Sequence, residues 1–340
     1  MQHQRKAYQR DQGKDVNSEM DKKTRIFITG ATGFIGRFLV EELCAQGYLD
    51  ITVLVRRSSN TSFLRSKGAK FIFGDIADDS SVQGIPGGYD IVFHCAGFVS
   101  NSNQKILNGV NIRGTENLCR WASKHKIKKF IYLSSVAVNS GNQGVSLTED
   151  KPYMPTNRYG VSKAEAERIA VRFSKAGLPM VIVRPCMVYG EGEPHMMKFL
   201  TYLIRSRVFF IPNRGKVKWH LVSVRNVAAC LVRCMEDDRA LGATFNIADK
   251  EALSAREVFG VISQNIGSPE PFLMPDSLTK LLILLPIAGK HIKFLCKDRV
   301  YSIEKLERTL DFVPPYRVVP ELARAAASFA SRFRHRNYGK

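Results

Sequence analysis

Short apolar runs recur along the chain with helical stretches between them: RIFIT, ITVLV, KFIFG, DIVFHCA, KKFIYLSS and PMVIVRP, spanning residues 25–185. Runs of four to eight residues, rich in Val, Ile and Phe and separated by amphipathic segments, predict a parallel α/β sheet. Residues 34–46 and 115–124 place apolar side chains at helical spacing, and each is long enough to carry the chain back across the sheet. Helices are therefore expected on both sheet faces. Beyond Arg184 the pattern loosens, because Pro185, Gly190, Gly192 and Pro194 interrupt it before an amphipathic stretch at 196–205. HLVSVRNVAACLVRCM then reads as a strand entering a helix and ATFNIA as a further strand. SAREVFGVISQNI reads as a helix opened by Ser254, with Glu257 completing a capping box.

This pattern divides the chain into a leader over 1–23, a main domain over 24–185 and a smaller, interrupted lobe over 186–335. Segments near 217–250 are expected to return to the main domain. The leader is polar and almost free of aliphatic residues, which predicts an unpacked segment without the apolar core of a secretion signal. Length (340 residues) and a 44% apolar composition allow a large buried core. Seven cysteines without a CxxC pair suit reduced thiols in a cytoplasmic protein. Cys230 and Cys234, one helical turn apart, read as helix core, and no metal site is expected. The net charge of +20 fits a polyanionic partner. Its lysines and arginines lack the interleaved aromatics of a base-stacking platform, so no nucleic-acid partner is expected.

Chemistry enters with RIFITGATGFIGRFLVEEL, where Gly30, Gly33 and Gly36 join the first strand to the first helix. A tight turn, a close backbone approach to a pyrophosphate and close helix–strand packing each require a residue without a Cβ. The helix N-terminus offers free N–H groups to phosphates. TGATGFIG resembles the signature of the short-chain dehydrogenases/reductases, which implies a Rossmann-type, doubly wound parallel sheet with Thr32, Phe34 and Ile35 also at the cofactor. Where a carboxylate after the second strand would receive the ribose of NAD(H), this chain has Arg56 and Arg57, whose guanidiniums suit the 2′-phosphate of NADP(H). Asp75 and Ile76 match the family's adenine clasp, and HCAG, with Ala96, its fourth-strand signature. Within that signature His94 reads as structural.

In RYGVSKAEAER, Tyr159 and Lys163 stand four apart and so share one face of a helix. A phenol titrates too high for proton exchange at neutral pH, and a nearby ammonium is expected to lower it, making Tyr159 a general acid or base. Of the adjacent serines in IYLSSVAV, Ser135 is the candidate to hold the substrate oxygen, whereas Ser134 is expected to support the cofactor. Asn111, in NIRGT, matches the family asparagine that organises a water relay behind the lysine. These motifs occur in the family's order, and RPCMVYGEG resembles its extended branch, the NAD-dependent epimerases and dehydratases. The resemblance makes Arg184 structural, Pro185 a cofactor neighbour, and Met187, Val188 and Tyr189 neighbours of a small-molecule substrate.

Fold resemblance alone does not choose a reaction. Sugar-nucleotide members carry an arginine–aspartate step that grips the diphosphate, where this chain has Trp219 and His220, followed by Asn226 at the position of a further acid. Lys216, Lys218 or Arg214 remain as substitutes for that grip. FLMPDSLTKLLILLPIAGKHIKFL is too short in its apolar core to span a bilayer; it reads as an ordinary core helix, a cap on a lipophilic pocket, or, with Lys280, Lys290 and Lys293, a weak peripheral contact with anionic membrane. The combination resembles the 3β-hydroxysteroid dehydrogenase and dihydroflavonol reductase group. It implies NADP(H)-dependent interconversion of a ketone and a secondary alcohol on a steroid-, flavonoid- or lipid-like substrate, by a homodimer. An NDP-sugar epimerase or dehydratase and a non-catalytic NADP-sensing regulator stand as alternatives.

Overall fold

The structure, a computed structural model, describes residues 21–142, 146–207, 209–285, 292 and 295–337. Most of the leader and the apolar segment around Pro286, Lys290 and Lys293 lie outside the described residues. The main domain runs β1 (Ile26–Thr29), α1 (Phe34–Ala45), β2 (Ile51–Val55), α2 (Ser62–Ser66), β3 (Lys70–Phe73), α3 (Asp79–Gln83), β4 (Ile91–His94), α4 (Gln104–Leu107), α5 (Gly114–Ser123), β5 (Lys129–Leu133), α6 (Arg158–Lys175) and β6 (Met180–Pro185). The second part follows with β7 (Met187–Tyr189), α7 (Met196–Ser206), β8 (Phe210–Ile211), β9 (Lys218–Trp219), β10 (Leu221–Ser223), α8 (Val224–Glu236), β11 (Thr244–Ile247) and β12 (Leu253–Ser254). It closes with α9 (Ala255–Ile266), β13 (Phe272–Leu273), α10 (Asp276–Ile283), α11 (Glu304–Leu310) and α12 (Val318–Asn337).

Seven strands form one sheet in the order β11-β6-β5-β4-β1-β2-β3, all neighbours parallel. The period-two rule assigns the side chains. Ile26 and Ile28 of β1, Ile91 and Phe93 of β4, and Val181 and Val183 of β6 point into one core; Phe27, Val92 and Ile182 point into the other. Strands buried on both faces need continuous apolar sequence, which is why these runs do not alternate with polar residues. Helices α1 and α8 cover the first face, while α5 and α6 cover the second. All six anticipated strands form, as does the sheet they build. Cys230 and Cys234 lie buried in the first core.

The ATFNIA segment supplies β11, which extends the sheet beside β6 with Thr244 opposite Ile182. A third core joins Tyr189, Met197, Leu200, Trp219, Phe259 and Leu322 around α7, α9 and α12. Helix α9 carries the anticipated capping box between Ser254 and Glu257. The sequence around Asn111 takes a less common form. Helices α4 and α5 are joined through a wider, π-helical turn at Asn108–Arg113, a geometry that often marks a functional site. Helix α10 is not a core helix, since Thr279 is its buried residue and its leucines face outward or lie half-buried. No helix among the described residues is long and apolar enough to cross a membrane.

Candidate active site

The C-terminal ends of β1 to β6 converge on one edge of the sheet, where ligands bind in doubly wound folds. Gly30 adopts φ +78°, and a Cβ there would sit 2.5 Å from the Ala96 nitrogen at the end of β4. At Gly36 a Cβ would fall 2.2 Å from the Gly30 carbonyl, so α1 can start this close to the turn only without a side chain. Gly33 precedes α1 with no side-chain cap, leaving the helix entrance open to a phosphate. Thr32, Phe34 and Ile35 line this entrance, partly exposed.

Around the rim, Asp75 is exposed and accepts from the Ala77 N–H at 2.9 Å, while Ile76 is buried and its carbonyl receives Asn117 Nδ2 at 3.1 Å. Arg56 and Arg57 are exposed directly after β2, with the Arg57 guanidinium 5.7 Å from the Phe73 ring centre. Pro185 ends β6, buried beside Ile247. A glycine cradle, an uncapped helix start and two exposed guanidiniums together fit a dinucleotide carrying phosphates.

Tyr159 opens α6, whose N-cap Asn157 accepts from the Gly160 N–H at 2.8 Å. A Cβ on Gly160 would lie 2.7 Å from the Ala137 carbonyl, and this close approach draws the start of α6 against the turn that follows Ser135. Burial raises the Tyr159 phenol above its usual range, and the Ser135 hydroxyl beside it works in the opposite direction. The ammonium effect expected from Lys163 is not the governing one. Lys163 is buried, donates from Nζ to the Leu133 carbonyl at 2.8 Å and lies 4.4 Å from the Tyr132 ring centre. Burial pulls Lys163 down to about 7, with the Glu167 carboxylate pulling it back up.

Glu167 is the residue that sequence reasoning missed. It lies one turn beyond Lys163 on the same face of α6, fully buried, and accepts from Ser134 Oγ at 2.5 Å, Tyr153 at 2.9 Å and Arg184 Nε at 3.1 Å. Spacing of four, then four again, was the available signal. Ser134 therefore turns toward Glu167 rather than toward a cofactor. Arg184 is structural as expected, paired with Glu167 and bonded to the Glu149 carbonyl. The Tyr153 phenol, half-buried against Glu167, is pushed up to about 12 by burial and that charge.

Asn111 is buried, and its side chain clamps two elements. Its Oδ1 accepts from the Phe98 N–H at 2.8 Å, and Nδ2 donates to the Phe98 carbonyl and, at 2.9 Å, to Ser162 beside Lys163. His94 is fully buried between Thr29 and Thr115, at 2.8 and 2.9 Å, and burial drives it down to about 3, so it is neutral and structural.

Tyr189 requires a correction. It is fully buried in the third core, and its hydroxyl donates to Asp249 at 2.7 Å and contacts the Val318 carbonyl at 3.1 Å, so it cannot face a substrate. Its aromatic ring belongs to the apolar face of β7, which decides its burial. Met187, two residues earlier, stays partly exposed. Asp249 also receives Ser223 N–H and Asn226 Nδ2, at 2.9 and 2.6 Å, and burial raises it to about 6. At the preceding step, Trp219 is buried, and His220 donates from Nε2 to the Asp249 carbonyl at 2.6 Å while its Nδ1 accepts from the Tyr301 N–H. Lys216 pairs with Asp276, Lys218 pairs with Glu257, and Arg214 is exposed.

A model of the "NAD dependent epimerase/dehydratase family" matches residues 26–248, more than half of the chain. The chain belongs to this family. UDP-glucose 4-epimerase of Vibrio cholerae is 27% identical over 89% of this chain and 95% of its own length. The decarboxylating sterol-4-alpha-carboxylate 3-dehydrogenase of Dictyostelium discoideum is also 27% identical, over 69% of this chain and 74% of its own. Among solved structures, a dTDP-glucose 4,6-dehydratase from Streptomyces venezuelae shares the fold with a TM-score of 0.75 at 21% identity, covering 93% of this chain and 98% of that one. The chain is thus an NAD(P)-dependent oxidoreductase of the epimerase/dehydratase family, whose relatives include a sugar epimerase, a sterol dehydrogenase and ketone reductases.

Proposed function

We propose that this enzyme interconverts a ketone and a secondary alcohol on a hydrophobic substrate, steroid-, flavonoid- or lipid-like, and prefers NADP(H) to NAD(H). One observation carries the substrate reading. At the step where sugar-nucleotide members hold the diphosphate, Trp219 and His220 are buried, and both ring nitrogens of His220 are committed to backbone groups. Neither side chain is available to a diphosphate, and the two nearest lysines already have carboxylate partners. For the cofactor, the exposed guanidiniums of Arg56 and Arg57 favour a 2′-phosphate and leave the ribose of NAD without its carboxylate.

A nicotinamide cofactor held over Gly30, Gly33 and Gly36 supplies the hydride. The side chains manage the oxygen and its proton. Ser135 and Tyr159 hold the substrate oxygen together, and Tyr159 delivers the proton when a ketone is reduced and accepts it when an alcohol is oxidised. Lys163 adds positive charge where the phenolate forms, with its ammonium oriented by the Leu133 carbonyl. Asn111 fixes the 97–103 loop against Ser162 and so fixes the helix face that carries Lys163.

The test is spectrophotometric. NADPH is mixed with a panel of hydrophobic ketones and, separately, with UDP-sugars. Steady NADPH consumption with a ketone and none with a sugar nucleotide is expected. Epimerisation of a UDP-sugar without net cofactor use would overturn the reading in favour of the epimerase alternative, which the near-complete coverage of the Vibrio epimerase keeps open.

A further inference from the structure

We infer that the outer face of the second lobe is a peripheral docking surface for an anionic lipid bilayer. Large apolar side chains stand exposed on the elements of this lobe. Phe199 and Tyr202 stand exposed on α7, Phe210 on β8, Phe272 on β13, and Leu281 and Leu284 at the end of α10, with Tyr202 66%, Phe272 72% and Leu284 78% exposed.

The elements are tied together. Strands β8 and β13 pair in parallel, setting the Phe210 and Phe272 rings 6.1 Å apart. The turn after β8 binds α10 through the Asn213 N–H to Thr279 Oγ1 at 2.9 Å, and binds the strand end through the Arg214 N–H to the Met274 carbonyl at 3.0 Å. Helix α7 leads into β8 by a short connection while its opposite face, with Met197, Leu200 and Ile204, fills the third core. Its aromatics are therefore outside by construction, not by loose packing.

Charge identifies the occupant. Lys198, Arg207, Arg214 and Lys280 are exposed among these apolar groups, and Asp276, the acid within α10, is paired with Lys216. Arg207 and Arg214 are held at φ 56° and 49°, an unfavourable left-handed backbone on either side of Phe210. Aromatic and leucine side chains interspersed with lysine and arginine form the pattern of an interfacial surface, in which rings enter the headgroup boundary and cations meet phosphates. A second copy of the chain is disfavoured, because an isologous contact would bring two copies of the same cation-bearing surface together. No helix among the described residues is long and apolar enough to cross a bilayer, and the contact inferred is a peripheral one.

The experiment is flotation of the full-length protein with vesicles of phosphatidylglycerol and phosphatidylcholine, beside vesicles of phosphatidylcholine alone. Binding to the anionic vesicles, weakened by added salt, is expected, and Phe272→Asp with Leu281→Asp should lower the bound fraction about tenfold. Leu49→Asp, an equally exposed apolar position in the connection between α1 and β2, should leave binding unchanged. Melting curves and NADPH turnover on a water-soluble ketone should be the same in all variants, which separates this inference from the reading of the active site. The inference is overturned if the wild type does not float with anionic vesicles, or if the double variant floats equally well. It is also overturned if the double variant dissociates a dimer in light scattering while flotation persists, since the face would then belong to a second copy.

Discussion

Replacing Glu167 with glutamine keeps the side-chain volume but removes the buried negative charge one helical turn from Lys163. Burial already draws Lys163 down to about 7, and Glu167 is the largest influence acting against it. Two unit charges about 6 Å apart in a medium of effective dielectric about 20 interact by about 2.8 kcal/mol, or about two pH units. Lys163 in Glu167→Gln should therefore titrate well below its wild-type value of about 7. If catalysis uses the ammonium form, kcat/KM of the wild type falls as pH rises through about 7. The variant should already have lost activity at neutral pH, by roughly 50-fold, as its charged fraction drops from about one half to about one hundredth. The assay is a pH profile of kcat/KM from acid to alkaline buffers. Arg184→Gln is the control, because it breaks the same buried ion pair, at a cost of about 3–5 kcal/mol, yet leaves the carboxylate beside Lys163. An alkaline limb at the same pH in the wild type and Glu167→Gln would refute the electrostatic reasoning; so would an equal downward shift in Arg184→Gln.

Arg56→Asp should weaken NADP(H) by about tenfold to a hundredfold relative to NAD(H), as a charge-assisted contact is replaced by repulsion; competition titrations with both cofactors measure it, and equal losses would contradict the arginine reading. Tyr189→Phe leaves Asp249 short of a donor and should cost about 1–3 kcal/mol in urea unfolding while KM for the substrate stays put; a raised KM with unchanged stability would return Tyr189 to the substrate site. Gly36→Ala introduces a Cβ 2.2 Å from the Gly30 carbonyl, so the turn must open, and cofactor fluorescence titration should show binding lost or severely weakened.

The sheet was legible because parallel strands covered on both faces require apolar runs, and ITVLV or KFIYL has few alternatives. Tyr159 and Lys163 were legible because helical spacing puts them on one face and the motifs around them follow the order of the family that the chain resembles. Glu167 was not read, although it continues that spacing, because a glutamate on a helix ordinarily faces water; its burial depends on Arg184 arriving from β6. Asp249 was hidden because its donors come from two distant stretches, Tyr189 on β7 and Ser223 with Asn226 where β10 enters α8. Tyr189 was misplaced because the motif positions the strand at the site without saying which face of it enters the third core. The π-helical turn at Asn108–Arg113 leaves no trace in periodicity, since it is set by packing of its neighbours.

The central claim is that Tyr159 exchanges the proton at the substrate oxygen. Turnover of a ketone by Tyr159→Phe, followed by NADPH absorbance with cofactor affinity measured in parallel, tests it most directly. The account predicts a loss of about 10²–10⁴-fold in turnover with cofactor affinity intact. Wild-type turnover in Tyr159→Phe would contradict it.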